Sequence, residues 1–136
     1  MGLYDGFQSN AVNLNPNVAL VAGMIYISAA DGTLDDNEIA EISRVVPDRQ
    51  ALDSALQYVR RNPYQQYLSE AARLLTPAQK MCLVLNAADM AMSDGHLAAE
   101  EQQKLIQMQQ YFQIPDAHLQ PCIQTLMMKN NLNVFK

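Results

Sequence analysis

The sequence predicts an all-α fold, a single domain of about seven helices. Residues that favour helices, such as Ala, Leu, Gln, Met and Glu, fill the stretches between the prolines and glycines. Most of the 6 prolines stand where a helix could begin, the position at which the missing N–H costs nothing. No alternating apolar and polar run bounded by turns, the pattern typical of a β-strand, occurs along the 136 residues.

A loosely ordered N-terminal segment, residues 1–16, precedes a helical domain over residues 17–130. In order, the predicted helices span about 17–30, 36–46, 48 onward, 63 onward, 77–93, 99–112 and 115–129. The first helix is apolar nearly all round, which is typical of a helix at the centre of a domain. The second helix is expected to face the core with four apolar residues, Ile39, Ile42, Val45 and Val46. Thr76 and Pro77 are a preferred N-cap and first-turn pair, so the fifth helix begins there.

Composition narrows the classes of protein that this chain can represent. Lys and Arg number 9 and Asp and Glu 14, a net charge of −5, which disfavours nucleic-acid binding because that relies on basic patches. The longest apolar stretch, residues 18–30, is shorter than the roughly 20 residues of a membrane span. Residues 1–10 lack the basic and apolar regions of a signal peptide. We therefore expect a cytoplasmic protein that neither binds nucleic acid nor inserts into a membrane.

The chain also repeats itself. Residues 20–38 match residues 83–101 at six of nineteen positions, where about one match is expected by chance. The matches are Leu20/Leu83, Val21/Val84, Asp31/Asp94, Gly32/Gly95, Leu34/Leu97 and Glu38/Glu101. In both copies an apolar helix enters a turn and an amphipathic helix leaves it. The sequence therefore predicts two pseudo-symmetric helix–turn–helix repeats.

The repeated turn has the pattern Asp-Gly-x-Leu-x-x-x-Glu, and structure explains part of it. Glycine ends a helix, and Glu38 falls three residues after Asp35, as in a capping box. The N-cap of the second copy, Ala98, has no capping side chain. Asp31 and Asp94 each follow a predicted helix, where the helix dipole disfavours a carboxylate by about 0.3–1 kcal/mol. Either the N-terminus of the following helix or a bound cation shared with the Glu could offset this unfavourable interaction of the aspartate.

The acidic turns are the candidate metal site. A working EF-hand is excluded, because its first and third loop positions are filled by Ile27 and Ala29, and in the second copy by Met90 and Met92. A looser Ca²⁺ or Mg²⁺ site needs only a few carboxylates plus water and stays open. Its candidate ligands are Asp31, Glu38, Asp94 and Glu101. The alternative is a structural turn with a solvated acidic face.

Two segments resemble the halves of a TerB-like domain, from the tellurite-resistance TerB family: ISAADGTLDDNEIAEI and MAMSDGHLAAEEQQKLIQMQQYFQIPDAHL. The resemblance covers about residues 18–125. It implies an all-helical, pseudo-symmetric fold without established enzymatic activity and a role in bacterial responses to tellurite and other chemical stress. It also implies that the four carboxylates of the two turns bind a divalent metal. Ala98 and Ala99 depart from the family's polar pair, which weakens the second turn as a source of ligands.

Other features have a structural and a functional interpretation. Asn86, Asp89 and Ser93 form a polar stripe that either faces solvent or joins the acidic surface. The only basic and aromatic cluster has Arg60-Arg61 at its centre, and we expect it in a solvated connector, with a partner or an anion as the alternative. Its tyrosines are Tyr58, Tyr64 and Tyr67.

Methionines and cysteines are expected mainly in the core. Six methionines fall in the second half: Met81, Met90, Met92, Met108, Met127 and Met128. Core filling is the favoured interpretation, and a Met-rich groove for a partner helix is the alternative. Cys82 and Cys122 sit among apolar residues and are expected to be buried and inert.

The function that these patterns favour is non-enzymatic: a TerB-like stress-response or scaffold protein whose acidic surface binds a divalent cation or a protein partner. A metal-assisted hydrolase using the same carboxylates is one alternative. No nucleophile–base pair supports it in the sequence. A metal-free helical interaction module with an apolar groove is the other.

Overall fold

Helices account for all the regular structure in the part of the chain that the computed structural model describes, residues 13–29, 34–92 and 97–136. They are α1 (Pro16–Ser28), α2 (Asp36–Val45), α3 (Arg49–Arg61), α4 (Tyr64–Leu74), α5 (Pro77–Ala91), α6 (Ala99–Phe112), α7 (Asp116–Asn130) and a 3-10 helix (Leu132–Phe135). No strand occurs in these ranges, so the predicted all-α class is confirmed.

Local side chains begin the helices where the sequence indicates. The Asn15 side-chain oxygen accepts a hydrogen bond from the Val18 N–H at 2.9 Å, and Pro16 opens α1. Thr76 Oγ1 accepts from the Gln79 N–H at 3.1 Å, while Gln79 Oε1 accepts from the Thr76 N–H at 2.9 Å. These bonds satisfy donors that the first helical turn leaves unpaired.

Two helices end earlier than predicted. α1 ends at Ser28 rather than at residue 30, and α5 at Ala91 rather than at residue 93. In both copies, apolar residues continue past the last helical turn, so hydrophobic pattern alone overestimates the length of the helix.

α1 is the central helix, as predicted from its apolar sequence. Ten of its residues are buried, and it packs against each helix from α2 to α6. α7 packs against α5 at the periphery. No helix among the described residues combines the length and apolar character that crossing a membrane requires.

Four tyrosines form an aromatic cluster within the core. Tyr67 is fully buried, and its ring centroid lies 4.9 Å from that of Tyr26 and 6.2 Å from those of Tyr58 and Tyr64. The expectation of a solvated connector is therefore wrong for Tyr58, Tyr64 and Tyr67. Their rings face α1 across the bundle, and sequence proximity to the two arginines does not reveal that direction.

Every hydroxyl in this tyrosine cluster has an acceptor. Tyr67 donates to the Ala19 carbonyl oxygen at 2.6 Å, Tyr26 to that of Asn62 at 2.5 Å and Tyr64 to that of Lys104 at 2.6 Å. Tyr58 donates to the Glu70 carboxylate. These bonds explain how four phenols are buried without an unpaired polar group.

We expect the tyrosine cluster to make the fold sensitive to alkali. Burial, with the nearby Glu70 charge, raises the pKa of Tyr26 to about 12, whereas an unfolded tyrosine titrates near 10. As the pH rises, Tyr26 therefore loses its proton in the unfolded state first. The free energy of unfolding keeps its maximum contribution from Tyr26 below pH ~10 and falls as the pH rises toward 12. Urea denaturation between pH ~8 and ~11 measures this loss. The loss should be shallower in Tyr26→Phe, and an identical pH dependence in that variant would contradict the assignment.

Candidate functional site

The two turn glutamates lie at helix N-termini. Glu38 Oε1 accepts the Asp35 N–H at 3.1 Å, and Glu101 Oε1 accepts the Ala98 N–H at 3.2 Å. Asp35 completes the predicted capping box by accepting the Glu38 N–H at 2.8 Å. The alanine in the second copy provides no such bond, yet Glu101 still makes the reciprocal one. Both glutamates thus have a structural role, which the sequence predicted for the first copy only.

Helix bounds around the two turns agree at the offset of 63 residues. α1 and α5 end at Ser28 and Ala91, and α2 and α6 begin at Asp36 and Ala99. Six residues after these starts, Ile42 in α2 and its counterpart Leu105 in α6 are both buried. Pseudo-symmetry of the two halves as wholes stays a prediction.

The candidate cation site is only partly within the described residues. Asp31 and Asp94 lie outside them, and Glu38 and Glu101 lie within them. Among the described residues, no group of three or more His, Cys, Asp or Glu side chains is placed to hold a metal ion. Cation binding at the turns therefore depends on the two aspartates and stays a prediction.

The structure reveals a polar cleft of about 300 Å³ that the sequence did not predict. It lies where α2, α5 and the end of α7 meet beside α1. Its polar lining comprises Glu41, Arg44, Asn86, Asp89, Lys129 and Asn130. Its apolar lining comprises Met24, Val45 and Met90. We refer to these residues as the polar cleft.

Inside the polar cleft, Asp89 of α5 forms an ion pair and a hydrogen bond with residues at the end of α7. Its two carboxylate oxygens lie 3.1 and 3.2 Å from Lys129 Nζ, and the Asn130 side-chain amide donates to it at 2.8 Å. The sequence assigned Asp89 to a solvent-facing stripe or to the acidic surface, and neither describes this pairing. The partners lie about 40 positions away, so only the packing of α7 brings them together. Ser93, also in the predicted stripe, lies outside the described residues.

Glu41 and Arg44 are the other charged residues of the polar cleft. They are three residues apart on α2 and share one side of that helix. Neither forms a salt bridge or a hydrogen bond with the residues that the structure describes. The cleft therefore has one ion pair that is satisfied internally and two opposite charges that are not.

A second candidate surface is apolar and lies at the end of α7. Met127 and Met128 are 55% and 78% exposed, and Leu132, Val134 and Phe135 are 66% to 86% exposed. We call residues 127–135 the C-terminal apolar segment. Core filling is confirmed for Met92 and Met108, which are 4% and 0% exposed, but is wrong for Met127 and Met128.

The cysteines differ from the expectation that both are buried. Cys82 is exposed and Cys122 is half-buried, and neither forms a disulfide. Cys82 Sγ lies 3.4 Å from the Asn86 amide nitrogen. Its neighbours in sequence are apolar, but its own side chain is exposed at the surface of α5.

Comparisons with known proteins add no assignment. No family model, curated protein or solved structure matches this chain. The TerB-like resemblance therefore depends on the two turn motifs and continues below as a proposal.

Proposed function

We propose that this chain is a non-enzymatic, TerB-like helical interaction module that binds a protein partner through the C-terminal apolar segment. The observation that carries the proposal is the exposure of five large apolar side chains within nine residues. Exposed apolar side chains scattered singly are ordinary, whereas five of them so close together along the chain favour an interaction surface. A cytoplasmic location and a role in the response to tellurite or other chemical stress belong to the same proposal.

The energetics favour association through this segment. Burying one large apolar side chain is worth about 1.5–3 kcal/mol, so five are comparable with the roughly 4–15 kcal/mol that association costs. The 3-10 helix Leu132–Phe135 already orders the last three apolar residues, which reduces the entropy lost on binding. Methionine side chains at positions 127 and 128 can adapt to an irregular apolar groove.

The charge of the segment indicates the kind of partner. Residues 117–136 contain no Asp or Glu, and Lys136 adds a positive charge beside the Lys129–Asp89 ion pair, although the chain as a whole carries a charge of −5. A partner with an apolar groove and an acidic rim would complement this end of the molecule.

Binding by the segment can be tested with charge substitutions. We expect Met128→Glu/Phe135→Glu to weaken the complex with a protein captured by the wild-type chain by about 100-fold, since two buried contacts become unpaired charges. Isothermal titration calorimetry of the purified chain with the purified partner protein measures the dissociation constant.

A matched control adds the same charge without removing apolar surface. Gln120→Glu/Gln124→Glu changes two exposed residues of α7 and should leave the dissociation constant within about threefold of the wild type. Equal weakening by both variants would indicate a charge effect alone. Undiminished binding by Met128→Glu/Phe135→Glu would refute the assignment to the segment.

The second candidate function is cation binding at Asp31, Glu38, Asp94 and Glu101. The matching helix bounds around the two turns support it, since Glu38 and Glu101 lie at equivalent positions in the first turns of α2 and α6. The resemblance adds Ca²⁺ or Mg²⁺ as the ion. No observation among the described residues favours the metal-assisted hydrolase.

Thermal stability should respond to this cation. At 100 times its dissociation constant, a ligand that binds only the folded state adds about 2.7 kcal/mol to the free energy of unfolding. We therefore expect millimolar Ca²⁺, Mg²⁺ or Mn²⁺ to raise the melting temperature of the wild type but not that of Asp31→Asn/Asp94→Asn. Asp53→Asn, which changes an exposed aspartate of α3, is the control and should respond like the wild type. Absence of a shift with all three metals would exclude the site.

A further inference from the structure

We propose that the polar cleft binds a free α-amino acid with an aliphatic side chain. This site is distinct from the C-terminal apolar segment and from the acidic turns. The class of ligand follows from the charges, the lining and the size of the cleft.

The charges of the cleft favour a zwitterion. Asp89 and Lys129 neutralise each other at 3.1 Å, which leaves the Glu41 carboxylate and the Arg44 guanidinium. The guanidinium offers a bidentate site for a carboxylate, and the Glu41 carboxylate accepts hydrogen bonds from an ammonium group. An α-amino acid carries these two groups on one carbon, and Glu41 and Arg44 are neighbours on one helix face.

The same charges disfavour simpler ions. A ligand with only a carboxylate would leave the Glu41 carboxylate without a partner, and a ligand with only an amine would leave the Arg44 guanidinium without one. The like charge of that remaining group penalises each of these ions, whereas a zwitterion satisfies both signs. The cleft has two acidic and two basic side chains, so its formal charge is zero.

The remaining lining suits an aliphatic side chain of modest size. Val45 and Met90 supply an apolar lining above the fully buried Met24, and the flexible Met90 side chain can fit ligand side chains of different shape. The volume of about 300 Å³ is at the lower limit of small-molecule pockets, which matches an amino acid better than a nucleotide or a peptide.

The test uses the full chain and L-leucine as the probe. We expect saturable changes in the amide chemical shifts of α2 and α5 on titration with millimolar L-leucine. N-acetyl-L-leucine and L-leucinamide, which each lack one charge, should bind at least about tenfold more weakly, a difference of one logarithmic unit in the dissociation constant.

Variants separate the cleft from other sites. Arg44→Gln and Glu41→Gln should each weaken L-leucine binding by at least about tenfold, with the fold checked by circular dichroism. Arg60→Gln and Glu100→Gln, which change exposed charges outside the cleft, should bind like the wild type. Absence of saturation with L-leucine, equal affinity for the blocked analogues, or unchanged affinity of both cleft variants would each overturn the proposal.

Discussion

Replacing Tyr67 by alanine should destabilise the fold by about 3–5 kcal/mol, the largest effect that we expect of a single substitution. Tyr67 is fully buried, contacts the other three tyrosine rings of the cluster and donates a hydrogen bond to α1. Alanine would remove the ring and leave a cavity between α1 and α4. Urea denaturation followed by circular dichroism measures the change in the free energy of unfolding.

Tyr67→Phe is the matched control for this substitution. It retains the ring and removes only the hydroxyl, so the expected loss is about 0.5–1.5 kcal/mol, the net value of one hydrogen bond. If Tyr67→Ala costs no more than Tyr67→Phe, the ring does not contribute to the core as described.

Replacing Gly23 by alanine should also destabilise the protein, although alanine is the better helix former. A Cβ atom at this position would lie 2.5 Å from the Tyr67 hydroxyl oxygen and 2.8 Å from Leu83 Cδ2. Tyr67 cannot withdraw without breaking its 2.6 Å hydrogen bond to Ala19. Alanine gains up to about 1 kcal/mol in helix propensity, whereas overpacking typically costs about 1–3 kcal/mol and sometimes more. We expect a net loss of about 1–2 kcal/mol.

The double variant Gly23→Ala/Tyr67→Phe tests the cause. Removing the hydroxyl makes room for the new methyl group, so Gly23→Ala should cost at least about 0.5 kcal/mol less in the Tyr67→Phe background than in the wild type. Thermal denaturation of the four proteins completes the cycle. Equal costs in both backgrounds would show that the close approach of Tyr67 to Gly23 is not what excludes a side chain.

Much of the architecture could be predicted from local sequence. Thr76 and Pro77 locate the start of α5 because their own side chains satisfy or avoid the unpaired donors there. The central place of α1 follows from a helix with no polar face, which only a fully surrounded position can accommodate.

Features that depend on contacts between distant helices could not be predicted. The pairing of Asp89 with Lys129 requires the direction of α7 across α5, which no local pattern encodes. Tyr58 and Tyr64 stand near two arginines in sequence, but the positions of α3 and α4 against α1 decide that both rings are buried. Met127 and Met108 have the same side chain and therefore the same hydrophobicity and helix propensity. Their different exposure reflects only whether another helix covers them.

The candidate sites also divide into one that local sequence predicted and one that depends on contacts between distant helices. Glu38 and Glu101 were recognised from a repeated spacing, and their bonds at the N-termini of α2 and α6 show what that spacing does locally. The polar cleft has no sequence signature, because its charged residues come from three helices separated by up to 88 positions along the chain.

Hydrogen–deuterium exchange of the wild-type chain, with and without the captured partner protein, tests the proposed interaction surface most directly. Amides that become buried at an interface exchange more slowly. The proposal predicts slower exchange in residues 127–135 when the partner is bound and unchanged exchange in α3 on another side of the bundle. Unchanged exchange in residues 127–135, together with protection elsewhere in the chain, would contradict it.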